Sequence, residues 1–481
     1  MMEEELLYRV EKDFIGEKKV PQNAYYGIQT LRAAENFPIT GYRINSDLIR
    51  AISIVKKSAA QANRDIGQLD ENLAEAIIQA SEEVMNGALR DQFLVDPIQG
   101  GAGTSVNMNA NEVIANRALE ILGHEKGSYD IISPNSHVNM AQSTNDAFPT
   151  AIHIATLVKV DKLLEVMESL HKTFLKKSIE FQSVLKMGRT HLQDAVPIRL
   201  GQEFEAYAMV LRRDIERIRV SRVYLYEINM GATAVGTGLN ADPLYIEKVA
   251  KYLSENSGFQ LKSSTHLVDA TQNTDSYVQV SAALRGTMLN QSKICNDLRL
   301  MASGPRTGLS EISLPARQPG SSIMPGKVNP VMAEVMNQVA FQVVGNDTTI
   351  ALASEAGQFE LNVMEPVLVF NLLQSLKIMT NVFGVFRDYC LDGITANVEH
   401  LEEYVEKSIG VITAINPHVG YEVASQIAKE ALLSNKSIRE LCIEKKVLTE
   451  EELDLILHPF EMTKPGISGK DLLKKKIILS K

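Results

Sequence analysis

The sequence predicts an all-α fold whose centre is a bundle of long helices. The main observation is a run of about 38 residues between Pro149 and Gly188 that contains neither Gly nor Pro and carries apolar residues at helical spacing. At a rise of 1.5 Å per residue, a single helix over this run would be roughly 57 Å long. Strand signals are weak and scattered, and several long helices in series are typical of a bundle. Four further helical runs follow, at about 198–228, 271–302, 330–353 and 360–389.

Shorter elements are expected on either side of the bundle. Ser46 predicts the N-cap of a helix that runs to Ala62, and a glycine-rich turn at 100–103 leads into a helix over about 104–122. Beyond about residue 397 the pattern changes to short charged helices and a lysine-rich end at 474–476. We therefore predict three domains: a mostly helical N-terminal domain (1–142), a central long-helix bundle that serves as the oligomerisation core (143–396), and a small helical C-terminal domain (397–481).

Composition and charge exclude several classes of protein. The chain has 481 residues, 45% of them hydrophobic and 22% charged, which is ordinary for a globular protein and unlike a disordered chain. Its net charge of −10 disfavours nucleic acid and anionic membrane surfaces as partners, since both select basic patches. No apolar stretch is expected to reach the roughly 18 residues of a membrane span.

The cysteines and the N-terminus predict the compartment. Cys295, Cys390 and Cys442 are odd in number and far apart, which fits neither a disulfide framework nor a zinc site and is typical of a reducing environment. Residues 1–5 are acidic where a secretory signal needs a basic start and an apolar run. We expect a cytoplasmic protein.

The familiar catalytic motifs are absent from the sequence. None of the nine histidines has the spacing of an HExxH site, and there is no GxSxG elbow and no Walker loop, so no metal and no cofactor is predicted. Four other segments carry hydroxyl, amide and basic side chains next to predicted helix ends. They are Gly103-Thr104-Ser105, Gln142-Ser143-Thr144-Asn145-Asp146, Gly188-Arg189-Thr190-His191, and the eleven residues 320–330, GSSIMPGKVNP.

Taken singly, each segment favours a structural interpretation. Ser, Thr, Asn and Asp are the ordinary N-caps, and a lone histidine is more often hydrogen-bonded than catalytic. Taken together, they indicate an anion site, because helix N-termini offer free N–H groups and a favourable dipole. Lys327 adds a point charge, and the glycines and proline around it fit a flexible lid. The combination predicts a small dicarboxylate or a phosphorylated acid as substrate.

Segment 320–330 closely resembles the signature loop of the fumarase/aspartase superfamily. The other three segments match the remaining substrate-contacting regions of that superfamily in the same order, and the similarity covers essentially the whole chain. Two details favour the ammonia-lyase branch that acts on L-aspartate. Fumarases usually read Ser-Ser-Asn-Asp where this chain has 143–146 as Ser-Thr-Asn-Asp, and they carry Glu-Asn-Glu where it has Ala-Arg-Gln at 316–318.

The resemblance implies a cofactor-free carbon–nitrogen lyase. Such an enzyme converts L-aspartate reversibly into fumarate and ammonia by anti elimination through an aci-carboxylate. The family's general base corresponds to Ser321. The residues that correspond to donors for the developing charge are Thr104, Ser143, Thr144 and Ser322. Lys327 and Asn329 correspond to residues that hold the α-carboxylate, Thr190 and His191 contact that group or the amine, and Asn145 lies near the amine. His191 is not assigned as a general acid, because the ammonium already carries its proton.

The length of the central helix predicts an oligomer on separate grounds. Ser143 precedes that helix and Thr190 follows it, so in one chain a straight helix would hold them roughly 55 Å apart, too far for a small substrate to contact both. A symmetric assembly brings such ends together from different chains. The resemblance to the superfamily implies the same, since its members are homotetramers with active sites shared between subunits.

Three alternative functions remain open for this sequence. A fumarase would use the same loops to add water to the same alkene and would act on L-malate. A lens-type structural relative would keep the assembly without catalysis, although the intact Ser321, Lys327 and His191 disfavour it. A lyase with a nucleotide substrate is less favoured, because its loop is usually less similar to residues 320–330.

Overall fold

A computed structural model describes residues 7–473 of the chain. Over this range the molecule is 63% helical with only short strands, which confirms the all-α prediction. The acidic residues 1–5 and the lysines at 474–476 lie outside the described range. Before the bundle, the chain forms β1 (Tyr8–Lys12), β2 (Glu17–Pro21), α1 (Ile28–Asn36), α2 (Ser46–Asp65), α3 (Glu71–Met85) and α4 (Thr104–Ile121).

The central region contains the five predicted long helices with small two-stranded sheets between them. Its elements are α5 (Thr144–Glu180), β3 (Leu185–Thr190), β4 (Gln193–Arg199), α6 (Leu200–Ser221), β5 (Glu227–Ile228), α7 (Pro243–Ser257), β6 (Lys262–Ser263), α8 (Leu267–Gln272), α9 (Asp275–Met301), β7 (Ile312–Ser313), α10 (Val331–Glu355) and α11 (Glu365–Tyr389). β3 pairs with β4 and β1 with β2, both antiparallel.

The C-terminal part consists of short helices. They are α12 (Val398–Lys407), α13 (Ile412–Val419), α14 (Tyr421–Ser434), α15 (Ile438–Glu444), α16 (Glu450–Ile456) and α17 (Pro459–Met462), and they follow the two-residue strand β8 (Thr395–Ala396), which pairs with β7. Ser437 and Thr449 start α15 and α16 with capping boxes, in which the N-cap hydroxyl and a Glu three residues later each bond the other's backbone.

The boundaries of several predicted helices differ from those observed. The run expected over 198–228 forms α6 only over Leu200–Ser221 and is flanked by the strands β4 and β5. Asn45, not Ser46, caps α2, because its side chain accepts the N–H of Asp47. The long helix was expected to continue to Met187, but α5 ends at Glu180 and residues 185–190 form a strand. Leu185 and Met187 are buried in that strand, so their apolar character reflects a sheet and not a helix face.

Internal contacts divide the chain into two compact units. The first comprises the residues up to Glu165, Ile215–Met288 and Val339–Thr380; its α2 packs against α3 and α7, and α3 packs against α4. The second comprises Val166–Asp214, Leu289–Gln338 and the residues from Asn381 onward. In the second unit, Leu185 and Met187 of β3 pack with buried residues of α13–α16, so the short C-terminal helices support the β3–β4 hairpin.

Among residues 7–473, one helix has the length and hydropathy of a membrane span, contrary to the expectation that none would. This helix runs from Glu365 to Gly393, and 56% of its most apolar window is buried within the protein. Core helices of soluble proteins meet the same criteria, and Glu365 at its start is a buried acid.

Candidate active site

In the first unit, the N-termini of α4 and α5 lie against each other. Gly103 is the N-cap of α4 with a φ of +89°, and a Cβ built on it would lie 2.3 Å from the ring of Phe148 in α5. Only glycine fits this backbone conformation and this close approach. Thr104, the first residue of α4, is exposed, and its hydroxyl donates to the carbonyl of Gly101 at 2.7 Å. Two helix starts therefore meet at this point of the first unit.

The two hydroxyls before and at the start of α5 are bonded differently. Ser143 Oγ accepts the N–H of Asn145 at 3.2 Å, so it is an N-cap, as the structural interpretation predicts. Thr144 Oγ1 accepts from the amide Nδ2 of Asn107, one turn into α4, at 3.1 Å. Both oxygens act as acceptors inside the protein, which leaves their O–H protons available to a ligand.

Asp146 ties this corner to a second loop. Its buried carboxylate accepts the N–H groups of Ser143 at 2.9 Å, Gly231 at 3.1 Å and Thr233 at 2.9 Å. Burial raises the pKa of Asp146 to about 6, against the opposing effects of these three bonds and of the charge on Lys56. The carboxylate therefore fixes the position of the segment that carries Ser143 and Thr144.

A proline inside α5 explains a further contact of this loop. Pro149 has no N–H, so the carbonyl of Asn145 loses its helical partner. Asn229 Nδ2 donates to that carbonyl at 2.9 Å, and Asn145 Nδ2 donates to the carbonyl of Ala234 at 2.7 Å. The sequence interpretation missed the loop 229–234. The clustered glycines at 231, 236 and 238, all with positive φ, are the signal that indicates it.

In the second unit, Thr190 and His191 lie at the tip of the β3–β4 hairpin. They were expected in a loop near a helix end, which was wrong: Thr190 pairs with Gln193, and His191 and Leu192 form the two-residue turn. Both turn residues have positive φ, 56° and 60°, the pattern of a type I′ turn, although neither is Gly, Asn or Asp. Thr190 and His191 are exposed at this tip.

Buried charges support the base of the hairpin. Lys186 Nζ lies 2.7 Å from Glu311 and 2.9 Å from Glu203, and it is 3% exposed. Arg189 adds a second cation to Glu311 at 2.5 Å, while Glu311 itself is fully buried. Burial raises the pKa of Glu203, with Lys186 opposing. This network fixes the strand that ends at Thr190.

The signature loop is closed by its own backbone. The N–H of Gly320 donates to the carbonyl of Lys327 at 2.7 Å, and Asn329 Nδ2 donates to the carbonyl of Gly320 at 2.8 Å. A Cβ on Gly320 would lie 2.6 Å from the Lys327 carbonyl, so the closure requires glycine. Ser322 and Lys327 are exposed, and a cleft of about 450 Å³ is lined by residues that include Ser321 and Lys327.

Ser321 occupies a small oxyanion-like site within this loop. Its Oγ accepts two backbone N–H groups, from Ile323 at 3.2 Å and from Met324 at 3.0 Å. Hydrogen bonds that favour the charged form of a group lower its pKa. The loop therefore favours ionisation of this hydroxyl.

Comparisons with known proteins identify the family of the chain. A lyase family profile matches residues 16–345, and a profile of the fumarase C C-terminus matches residues 411–464. The chain is 69% identical to the aspartate ammonia-lyase of Bacillus subtilis (strain 168) over 97% of its own length and 98% of that protein's. The chain belongs to the fumarase/aspartase superfamily. It is accordingly a lyase.

Other superfamily members are similar over the same length. The aspartate ammonia-lyase of Helicobacter pylori (strain J99 / ATCC 700824) is 51% identical over 95% of this chain and 98% of that protein. A solved structure described as fumarate lyase:delta crystallin from Brucella melitensis, bound to cobalt, has a TM-score of 0.93 at 48% identity and covers 95% of this chain and 100% of that one. The class II fumarase from Schistosoma mansoni has a TM-score of 0.90 at 34% identity, with the same coverage.

The superfamily's candidate residues fall into separate groups in this chain. Thr104 and residues 143–145 gather at the paired helix starts of the first unit. Thr190 and His191 lie on the hairpin tip, and residues 320–330 form the closed loop, both in the second unit. Within residues 7–473, no group of three or more His, Cys, Asp and Glu side chains is arranged to hold a metal.

Proposed function

We propose that this chain catalyses the reversible deamination of L-aspartate to fumarate and ammonia. The observation that carries the proposal is the 69% identity, over nearly the full length of both chains, to an aspartate ammonia-lyase. The fumarase compared above is only 34% identical, which disfavours the fumarase alternative. An elimination from a dicarboxylate requires a site for a carboxylate and a stabilised base. The paired helix starts provide the first, and the Ser321 loop provides the second.

In the proposed reaction, Ser321 takes the proton from Cβ of aspartate. Its alkoxide is stabilised by the N–H groups of Ile323 and Met324, and the proton becomes the hydroxyl proton of the serine. The electron pair of the broken C–H bond moves into the β-carboxylate and gives a dianionic aci-carboxylate. That pair then forms the alkene as the Cα–N bond breaks and ammonia leaves with its own electron pair.

The aci-carboxylate is proposed to lie at the two helix starts of the first unit. Ser143 and Thr144 turn their oxygen lone pairs to protein donors, so each keeps its O–H for the extra charge. Ser322 completes the set, and Thr104, at the start of α4, joins it when its hydroxyl turns from the carbonyl of Gly101 to the substrate. One donor aimed at charge that develops in the transition state is worth about 3 kcal/mol, several times a single helix dipole at about 0.5 kcal/mol.

The other end of aspartate is assigned to the second-unit residues. Lys327, exposed at the signature loop, supplies the cation for the α-carboxylate, and Asn329 assists it through the part of its amide not bonded to Gly320. Thr190 and His191 contact that carboxylate or the amine from the hairpin tip, and Asn145 contacts the amine. No cofactor takes part in the proposed chemistry.

The working assembly is proposed to be a homotetramer whose sites are shared between subunits. α5 has 37 residues, so it is about 55 Å long, with Ser143 before its first residue and Thr190 beyond its last. On α10, Phe341 is 68% exposed and Leu352 is 64% exposed. These residues are eleven positions apart, about three turns, and so lie on one stripe that a second copy can cover.

A cytoplasmic location is also part of the proposal. All three cysteines are free and buried, and burial raises the pKa of Cys390 to about 12 and that of Cys295 well above its usual value. Unpaired thiols are usual in reducing compartments.

The test is ultraviolet absorbance of fumarate, with purified protein given L-aspartate in one cuvette and L-malate in another. Fumarate from aspartate alone is expected. Fumarate from malate alone would establish a fumarase instead. No fumarate from either substrate, with the assembly intact, would contradict the proposal and favour the structural relative.

A further inference from the structure

A buried lysine lies beneath the paired helix starts of the first unit. Lys56, in the middle of α2, is 0% exposed. Its Nζ donates to Asn139 Oδ1 at 2.9 Å and to Gln142 Oε1 at 2.8 Å. Among the described residues it forms no ion pair within 4.0 Å, and the charge of Asp146 acts on it only through space. Neutral amide oxygens repay little of the cost of burying an ammonium, so stability does not explain the presence of Lys56.

Three donors converge on the side-chain oxygen of Asn139. Besides Lys56, Asn107 Nδ2 donates to it at 3.1 Å and Asn111 Nδ2 at 3.2 Å. Asn139 uses its own Nδ2 to donate to the carbonyl of Gln142 at 3.2 Å. The amide of Asn139 is therefore held in one orientation, with its oxygen toward the lysine.

The direction of these bonds follows from the chemistry of the lysine. Below its pKa of about 7 Lys56 is an ammonium, which only donates. The neutral amine above that pH still has two N–H groups, one for Asn139 and one for Gln142, so in both forms Asn139 presents its oxygen to Lys56. Asn107 must then present its NH₂ group to that oxygen, and the second N–H of this group reaches Thr144 Oγ1. Thr144 accepts there, so this bond does not use its own O–H proton.

This direction of the hydrogen bonds leaves two buried acceptors unpaired within residues 7–473. Asn107 Oδ1 and Asn111 Oδ1 are buried and find no hydrogen-bond partner among the described residues. A flipped Asn107 would satisfy its oxygen with the Thr144 hydroxyl, which would consume the proton that the substrate needs. A buried unpaired acceptor is unfavourable, so the observed orientation is imposed by the other members of the cluster.

We propose that Lys56 is a positioning residue that sets the direction of the hydrogen-bond chain Lys56–Asn139–Asn107–Thr144 and thereby makes Thr144 a donor to the substrate. We refer to these four residues as the amide relay. The inference rests on the proposed function for the role of Thr144 and adds to it how the required hydrogen-bond polarity is maintained.

Two Asn-to-Asp substitutions of equal size test the direction of the relay. In Asn139→Asp the carboxylate still accepts from Lys56 and Asn107 and loses only the donation to the carbonyl of Gln142, so kcat should stay within about threefold of the wild-type value. In Asn107→Asp the carboxylate accepts the Thr144 proton and removes the donor, so kcat should fall by about a hundredfold. Circular dichroism and thermal unfolding verify that both variants fold. Equal losses in the two variants would overturn the proposal.

A double-mutant cycle gives an independent test if either Asp variant fails to fold. Lys56→Met should lower kcat about tenfold or more in the wild-type background but have almost no effect in Thr144→Val, which has no hydroxyl to orient. The relay would be refuted if the two substitutions lowered kcat independently, so that their effects multiplied in the double variant. A Lys56→Met enzyme with wild-type kcat would also refute it. Lys57→Met is the matched control, because Lys57 is the next residue on α2 and pairs instead with Glu82.

The same variants distinguish a failed relay from a failed assignment of function. A wild-type protein that makes no fumarate from L-aspartate contradicts the proposed function. The relay is then judged by fumarate binding in a calorimeter, where Asn107→Asp should bind about tenfold or more weakly than Asn139→Asp. Equal dissociation constants for these two variants would overturn the relay.

Discussion

The backbone N–H of Met324 donates to Oγ of Ser321 over 3.0 Å. With the second donor, Ile323, this gives the hydroxyl two partners that favour its ionised form and need no ionised side chain nearby. The closure of the loop between Gly320 and Lys327 holds the three residues in place. The proposed base is thus stabilised by backbone geometry.

Ser321→Ala should therefore lower kcat by about a thousandfold, since a positioned base contributes roughly 10² to 10⁴. KM should change little, because the binding groups remain. The measurement is fumarate absorbance under saturating L-aspartate. Ser313→Ala is the control, because Ser313 is exposed in the same unit and its hydroxyl donates to Asn397 Oδ1. A Ser321→Ala enzyme with more than about a tenth of wild-type kcat would assign the base elsewhere.

The shared site predicts complementation between two inactive variants. Thr144→Ala and His191→Ala each damage a different part of the site, one at the start of α5 and one at the hairpin tip. In randomly mixed tetramers, about a quarter of the sites receive both intact residues if these come from different chains. Fumarate formation near that fraction is expected after co-refolding. Verified mixed tetramers without activity would place both residues in one chain's site.

The helical bundle and the site segments were predictable because their signals are local. Apolar residues at helical spacing indicated α5 and the four other long helices, although α5 and α6 end well before the predicted residues 187 and 228. The end of α5 was not predictable, since apolar residues such as Leu185 and Met187 fit the buried face of a helix and that of a strand equally well. Whether they form a strand depends on pairing with residues 193–199, which periodicity in one segment does not report.

The supporting residues were missed for a different reason. Lys56 occurs in an ordinary amphipathic helix, and nothing in its neighbours indicates that it is buried or that it reaches Asn139. Asn229 contacts α5 because Pro149 leaves the carbonyl of Asn145, which lies 84 positions before Asn229, without a helical partner. Such contacts are long-range, so the sequence of one segment carries no trace of them.

Glu311→Gln should destabilise the second unit and weaken substrate binding together. It leaves Lys186 and Arg189 with one charge fewer in a buried network, which typically costs about 3 kcal/mol. Thermal unfolding at fixed protein concentration should show a lower midpoint, and KM should rise because the strand that carries Thr190 is loosened. Lys436→Met, which breaks an exposed pair with Glu444, should leave both unchanged. An unchanged midpoint in Glu311→Gln would show that the network does not hold the hairpin.

Lys56 should affect stability in a pH-dependent manner that Lys56→Met removes. Burial lowers the pKa of Lys56 from 10.5 to about 7, with the charge of Asp146 opposing. Between these values the unfolded chain binds a proton that the folded chain lacks. The free energy of unfolding therefore rises with pH, by about 1.4 kcal/mol per unit for one proton. Below pH 7 both states are protonated and the full cost of the buried ammonium is present.

The measurement is urea unfolding of wild type, Lys56→Met and Lys57→Met at pH 6, 8 and 10. Relative to wild type, Lys56→Met should be most favoured at pH 6, and its relative advantage should shrink toward pH 10, whereas Lys57→Met should run parallel to wild type. Parallel curves for Lys56→Met as well would mean that the lysine is not desolvated as its burial implies. A variant that gains relative stability at pH 6 while losing kcat would show that the lysine is retained for the polarity of Thr144 and not for the fold.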